Sequence, residues 1–256
     1  MRPALVAASA LCLASSLALA APPRTPRRSL RDHRAAMAKL HAPMKGEAAP
    51  LDELGRPKLV LRSLNTEARG ELGAASDQGG FSAEALEIAA VVLADPRSGL
   101  RHPVEPLLLD LVYRAARHFR APEVRVVSGY RKPRGHNTSN HGRGRAIDLI
   151  LPGVSDKELV AWAKTQGGVG VGLYPVSSFV HLDVRPRSYF WTDASGPGQR
   201  SREVPVRGPA AAKADEEGAR RGAPRVAPFR LPVRVRDVDA HAEELPEGPE
   251  DDGDGP

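Results

Sequence analysis

The chain predicts an α+β fold, a single domain over residues 59–194 in which helices pack on a small, mostly antiparallel sheet. Three observations predict it. Ten of the eleven aromatic residues in this 256-residue chain lie between Phe81 and Trp191, so the core must lie there. Within that interval two stretches carry apolar residues at helical spacing, and β-branched runs at strand spacing follow them. The segment is also long enough to bury one core.

Leu59 to Ser63 alternates weakly and reads as a short strand, followed by a loop rich in glycine and small residues up to Gly80. Ser82 can cap a helix whose Glu84 and Glu87 suit its positive end, and whose Leu86, Ile88, Ala89, Val92 and Leu93 form an apolar face up to Pro96. A second helix runs from about Val104 to Arg120. There Leu107, Leu108, Leu111, Val112, Ala115 and Phe119 share a face, with Arg114, Arg117 and Arg120 off it. Val124, Val126 and Val127 make a strand of Glu123 to Ser128, and Gly129 to Gly144 is then a long loop, a frequent place for function. Arg145 to Leu151 is the next strand. Ser155 and Glu158 form a capping box opening a helix to about Gln166, and Val169–Tyr174 with Phe179–Val184 form a hairpin pair.

The flanks differ in composition. Residues 1–20 begin with one arginine, continue through an apolar stretch and end on the small-residue pattern Ala18, Leu19, Ala20, which reads as a secretory signal peptide. So Ala- and Ser-rich a stretch is a marginal membrane span, and no span is expected after cleavage. Cys12, the one cysteine, follows Leu11 where lipidation would need a small residue. Without Cys12 the mature chain offers neither disulfide nor thiolate, so any metal must be held by histidine and carboxylate. The expected location is the periplasm or cell envelope. Residues 21–58, with Pro22, Pro23, Pro26 and five arginines from Arg24 to Arg34, read as a basic linker. Residues 195–256 hold 9 Pro and 8 Gly without a repeat and end in an acidic run, a composition that argues disorder. Within them Leu231, Val233, Val235 and Val238 offer one short strand or partner-docking segment.

A pI near 9.8 invites a nucleic-acid partner, but the charge is badly placed for one. Residues 1–58 hold 10 basic and 4 acidic residues, whereas 59–193 hold 17 and 14 with no long basic helix. Nucleic acid is therefore not expected as a partner, nor is a second subunit.

The chemistry gathers around the long loop. His141 stands in it, Asp148 lies on the strand after it, and His181 and Asp183 lie on the hairpin. Alternate residues of a strand share a face, so Ala146, Asp148 and Ile150 point one way and His181 and Asp183 point together. Adjacent strands could aim these groups into one cleft. A catalytic zinc takes three protein ligands of this kind and leaves a position for water, and His141, Asp148 and His181 fit that requirement. Bound water then becomes acidic enough to attack an amide at neutral pH. Spacing alone leaves an ordinary hairpin histidine as the other reading.

The fixed positions of SxHxxGxAxD are met by Ser139, His141, Gly144, Ala146 and Asp148. In this the chain resembles the zinc D-Ala-D-Ala carboxypeptidases and murein endopeptidases, whose fold is shared with the hedgehog signalling domain. LNTE at Leu64–Glu67, SGYR at Ser128–Arg131, GGVGVGLYP at Gly167–Pro175 and FVHLD at Phe179–Asp183 look like the YcbK/MepK-like branch of envelope peptidases. The resemblance runs from about Leu59 to Trp191 and not into the flanks. It implies a hedgehog/DD-peptidase-like fold, zinc on His141, Asp148 and His181, and peptidoglycan stem peptides as substrate.

The resemblance also implies that Arg131 stabilises the oxyanion of the tetrahedral intermediate, a usual device for developing negative charge. Ser139 orients His141 or binds a substrate carboxylate. Tyr130, Tyr174 and Trp191 could line the cleft, and His136 is a candidate base or substrate contact. One position departs from the pattern. Many relatives carry Glu or Asp three residues before the last zinc histidine as general base, and here that position is Ser178. Asp183 is the catalytic candidate in its place, its other role being support that fixes a ligand's tautomer. The expected activity is endopeptidase cleavage of cross-links. A carboxypeptidase and a non-catalytic wall-binding module of the same fold stay open beside it.

Overall fold

Alternation along the strands gives this protein a sheet with two unlike faces. The computed structural model describes residues 29–133 and 139–227. Its elements run α1 (Leu30–His41), β1 (Leu59–Ser63), β2 (Arg69–Leu72), α2 (Ala83–Val92), α3 (Pro106–His118), β3 (Val124–Ser128), a 3-10 turn (Asn140–Arg143), β4 (Ala146–Ile150) and α4 (Asp156–Ala163). They continue with β5 (Val169–Tyr174), β6 (Phe179–Val184), β7 (Tyr189–Asp193), β8 (Glu203–Pro205) and α5 (Ala210–Arg220). The expected signal peptide, His136 and the Leu231–Val238 segment lie outside the described residues.

All eight strands join one sheet in the order β2-β1-β3-β4-β6-β5-β7-β8. Pairing is antiparallel except between β1 and β3 and between β5 and β7, so the sheet is larger than expected but mostly antiparallel. The caps are where the residue types put them. Ser82 accepts the Ala85 amide, and Ser155 with Glu158 closes a complete capping box.

One face of the sheet is apolar. Ile147, Leu149, Val171, Val180, Leu182 and Phe190 are almost fully buried against Ala89 of α2, Leu108, Leu111 and Val112 of α3, and Leu159 and Ala163 of α4. Cutting one of these leucines back to alanine costs about 2–5 kcal/mol. The other face carries the polar and aromatic partners of those strands. Across it Ser128 pairs with Asp148, Asp148 with His181, His181 with Gly172, Gly172 with Trp191 and Trp191 with Pro205. Cross-strand partners point to the same side, so this row runs across the open face.

The flanks are more structured than their composition suggests. The expected linker contains α1, which is capped by Ser29 and buries Met37. The ring Nε2 atoms of His33 and His41 hydrogen-bond to the carbonyls of Ser177 and Ser178, and Arg125 donates to the carbonyl of Leu40. The expected disordered tail begins with β8 and α5, of which Ala214 and Gly218 are buried. Asp215 accepts from the Gly168 amide and from the amide and hydroxyl of Ser188. Both helices are held by polar contacts with distant backbone rather than by a long apolar stripe, which is why periodicity missed them. Among the described residues no helix is long and apolar enough to cross a membrane.

Candidate metal centre

Each member of the His141, Asp148 and His181 cluster is placed by a different element. His141 sits in the 3-10 turn whose cap, Ser139, accepts the His141 amide, and Gly144 ends that turn at φ 65°. A side chain at Gly144 would be strained there and would strike the Pro103 carbonyl as well. The next residues enter β4, which carries Asp148, and β6 alongside carries His181 opposite it. The sequence-based expectation that alternation would aim these groups together holds in the register.

Hydrogen bonds then fix which atoms face inward. The Nδ1–H of His141 donates to the Gly129 carbonyl at 2.6 Å, which leaves its Nε2 as an acceptor. Gly129 is itself fixed, because the Tyr130 amide donates to the Leu93 carbonyl at the end of α2. On the other side His181 donates Nε2–H to Asp183 Oδ2 at 2.9 Å, leaving Nδ1 inward. His141 Nε2, His181 Nδ1 and Asp148 Oδ1 consequently converge, with separations of 3.2, 2.8 and 3.3 Å. Three lone pairs directed at one point repel unless a cation or proton sits among them. Two imidazole nitrogens and one carboxylate oxygen are a donor set that suits zinc, and outward hydrogen bonds of this type are how proteins orient metal-binding histidines.

The electrostatics agree. Burial pushes His141 down, so its ring is neutral and able to ligate. Burial also opposes charge on His181, but Asp148 and Asp183 on its two nitrogens outweigh it and push the ring up to about 9. Burial alone would raise both carboxyls. Instead His141 and His181 hold Asp148, and His181 and Arg185 hold Asp183, well below the usual carboxylate range.

Asp183 is only 1% exposed, and both of its oxygens are engaged by Arg185 in addition to His181. A carboxylate so tied and so acidic is a poor proton acceptor. Arg131 reaches the cluster from the other side, with Nε on Ser128 at 2.9 Å and a terminal nitrogen on Asp148. Half of its side chain stays open to the cleft.

The cleft above the cluster has a volume of about 720 Å³, within the usual range for ligand sites. Its lining includes Arg131, Ser139, Tyr174, Phe179, Tyr189 and Trp191. His33 and Met37 of α1 form one part of its wall, and residues from Asp193 to Glu203 form another. Asp193 builds that second part by accepting from the amides of Ser195 and Arg202 and from the Ser201 hydroxyl.

One expected contact is placed elsewhere, and the position that departs from the family pattern faces away from the cleft. Tyr130 does not line the cleft, its ring stacking on His102 at 5.1 Å instead. Ser178, at φ 58°, faces the recess beside α1 rather than the cleft. Sequence reasoning missed Arg185, although the alternation that joins His181 to Asp183 continues to it. It also passed over Gly170 and Gly172. A Cβ at Gly170 would strike Asp183 and Arg185, and one at Gly172 would strike the Trp191 indole. The Val-Gly-Val-Gly alternation of β5 was the available signal.

A buried two-histidine, one-carboxylate cluster, open to a ligand-sized cleft on a helix-backed sheet, is a donor set that could hold a metal ion beside a bound substrate. Residues 55–189 match the family described as peptidoglycan L,D-endopeptidase MepK, and the chain belongs to that family. It is 32% identical over 143 residues to the probable peptidoglycan L,D-endopeptidase MepK of Haemophilus influenzae, covering 50% of this chain and 75% of that protein. It is 29% identical over 152 residues to the MepK of Escherichia coli K12, covering 54% of this chain and 83% of that protein. No solved structure gives a significant match. The metal candidates lie inside the matched region, while α1 and residues 193–203 of the cleft wall lie outside it.

Proposed function

We propose that this protein is a zinc-dependent peptidoglycan endopeptidase of hedgehog/DD-peptidase type that hydrolyses stem-peptide cross-links at L,D centres. The observation that carries this reading is the convergence of His141 Nε2, Asp148 Oδ1 and His181 Nδ1 in a member of a family described as peptidoglycan L,D-endopeptidases. Zinc held by these three atoms would supply an acidified water and a Lewis acid for the scissile carbonyl.

The chain's own groups do the rest. Arg131 keeps guanidinium donors beyond those spent on Ser128 and Asp148, and directs them at the carbonyl oxygen as negative charge develops there. Asp183 is a positioning residue. It holds the His181 proton on Nε2 so that Nδ1 faces inward, and Arg185 keeps it ionised. Ser139 braces the His141 turn and meets the peptide at the cleft floor. His136 remains a candidate substrate contact outside the described residues. Export to the periplasm or cell envelope follows from the leader-like residues 1–20, and cell fractionation tests it.

The test is digestion of cross-linked muropeptides by the full mature chain, with zinc quantified. Activity should vanish with a chelator, return with zinc and be absent in His141→Ala. Chelator-insensitive digestion would overturn the reading, and release of free terminal D-alanine would identify a carboxypeptidase. A non-catalytic wall-binding module is favoured by two observations, Ser178 turned toward α1 and Asp183 fully engaged. Zinc-loaded protein that binds sacculi without releasing product would establish it.

A further inference from the structure

We infer that Tyr174 is a substrate-positioning residue, its hydroxyl donating a hydrogen bond to a main-chain carbonyl of the stem peptide beside the scissile bond. The inference deepens the proposed function and rests on it for the identity of the peptide.

Tyr174 stands on β5 on the same face as Gly170 and Gly172, so its ring lies over the open side of the sheet and lines the cleft. Its cross-strand partner Phe179 stacks on it, with centroids 4.4 Å apart and planes 18° apart, and so sets the ring's plane. Gly172, next on the same face, leaves room for the Trp191 indole to cross β5. Indole N–H can only donate, and it donates to the Tyr174 oxygen at 3.2 Å. That bond uses an oxygen lone pair and leaves the tyrosine's own proton unspent. Among the described residues the hydroxyl donates to no acceptor.

The same indole lies against His181, with ring centroids 5.0 Å apart. The hydroxyl is therefore one side chain away from the candidate metal centre. Burial, together with the negative charge of Asp148 and Glu203, outweighs the Trp191 hydrogen bond and pushes Tyr174 up to about 12. The hydroxyl stays neutral and protonated wherever the protein works. It is a donor fixed in direction, in a cleft whose expected ligand offers carbonyl oxygens along its whole length.

The experiment compares Tyr174→Phe with wild type, because phenylalanine keeps the stack on Phe179 and removes only the hydroxyl. One hydrogen bond of this type corresponds to about a five- to tenfold change in affinity. KM for a cross-linked muropeptide should rise by about that factor while kcat changes by less than about threefold, with zinc content and Tm unchanged. The same weakening should appear in calorimetric binding of a synthetic stem tetrapeptide to metal-free protein, a readout independent of turnover. Trp191→Phe should weaken binding too, and adding it to Tyr174→Phe should add less than its single effect, because both remove one oriented donor. Unchanged KM and peptide affinity in Tyr174→Phe would overturn the inference, as would a fall in kcat and Tm with KM preserved. If wild type fails to digest muropeptides the proposed function falls, while the peptide-binding comparison still decides the role of Tyr174.

Discussion

Replacing Gly172 by alanine adds a single methyl group, and the structure says what it must displace. An ideal Cβ at this position stands 2.5 Å from Trp191 Cε2, 2.6 Å from Cζ2 and 2.7 Å from Nε1. Ordinary contacts between carbon atoms are about 3.5–4.0 Å, so something has to move by roughly 1 Å. β5 is bonded to β6 on one side and to β7 on the other, which leaves the indole to give way. Its retreat stretches the bond to Tyr174 and lifts the ring from His181. Overpacking of this kind costs about 1–3 kcal/mol, and the lost hydrogen bond about 1 kcal/mol more. For a domain of this size that is a drop in Tm of about 5–15 °C. Thermal unfolding measures it beside Gly73→Ala, whose added Cβ meets nothing within 4 Å. That control should stay within about 0.5 kcal/mol of wild type. A Gly172→Ala protein that melts with wild type and binds the stem tetrapeptide equally well would refute the claim that Trp191 is seated by the absence of a side chain on β5.

Zinc binding at pH 7 should release about one proton, because the His181 ring is pushed up to about 9 and the metal must displace what it holds. Calorimetry in two buffers of different ionisation enthalpy counts it, and affinity should rise with pH until His181 titrates. Asp183→Asn should weaken zinc affinity by about 10- to 100-fold, as loss of a ligand's orienting partner does, with kcat largely recovered at saturating zinc. A rate that stays down at full zinc occupancy would instead make Asp183 a proton-transfer group. Asp215 lies below its ordinary value despite its burial, through hydrogen bonds from Gly168 and Ser188. Its folded value is the lower one, so its stabilising contribution is full above about pH 4 and is lost as the pH falls below that. Asp215→Asn should therefore flatten the acid limb of the stability curve, and faster amide exchange in α5 should accompany it.

The metal candidates were legible because they depend on short-range rules. Alternation on β4 and β6 sets which way Asp148, His181 and Asp183 point, and antiparallel pairing brings Asp148 opposite His181. The helices α2, α3 and α4 were legible from their apolar faces and caps for the same reason. Other features depend on partners far away in the chain. His33 meets a carbonyl 144 residues distant, and only Met37 of its helix is buried, so α1 leaves almost no periodic trace. α5 hangs on Asp215, whose partners are 27 and 47 residues earlier, and its sequence sits within a Pro- and Gly-rich stretch. The role of Asp183 was ambiguous in one dimension because the residue that engages it, Arg185, matters only once its guanidinium folds back over Gly170.

The matched family region holds every residue of the metal cluster, yet α1 and residues 193–203, which help to wall the cleft, fall outside it. The metal candidates and part of the wall above them are thus encoded in separate stretches of chain. Chimeras become a rational experiment on this division. Exchanging the flanks with those of a relative should transplant preference among cross-links while metal affinity stays with residues 55–189. Changes in α1 or in residues 193–203 can therefore reshape the cleft wall while leaving His141, Asp148 and His181 in place.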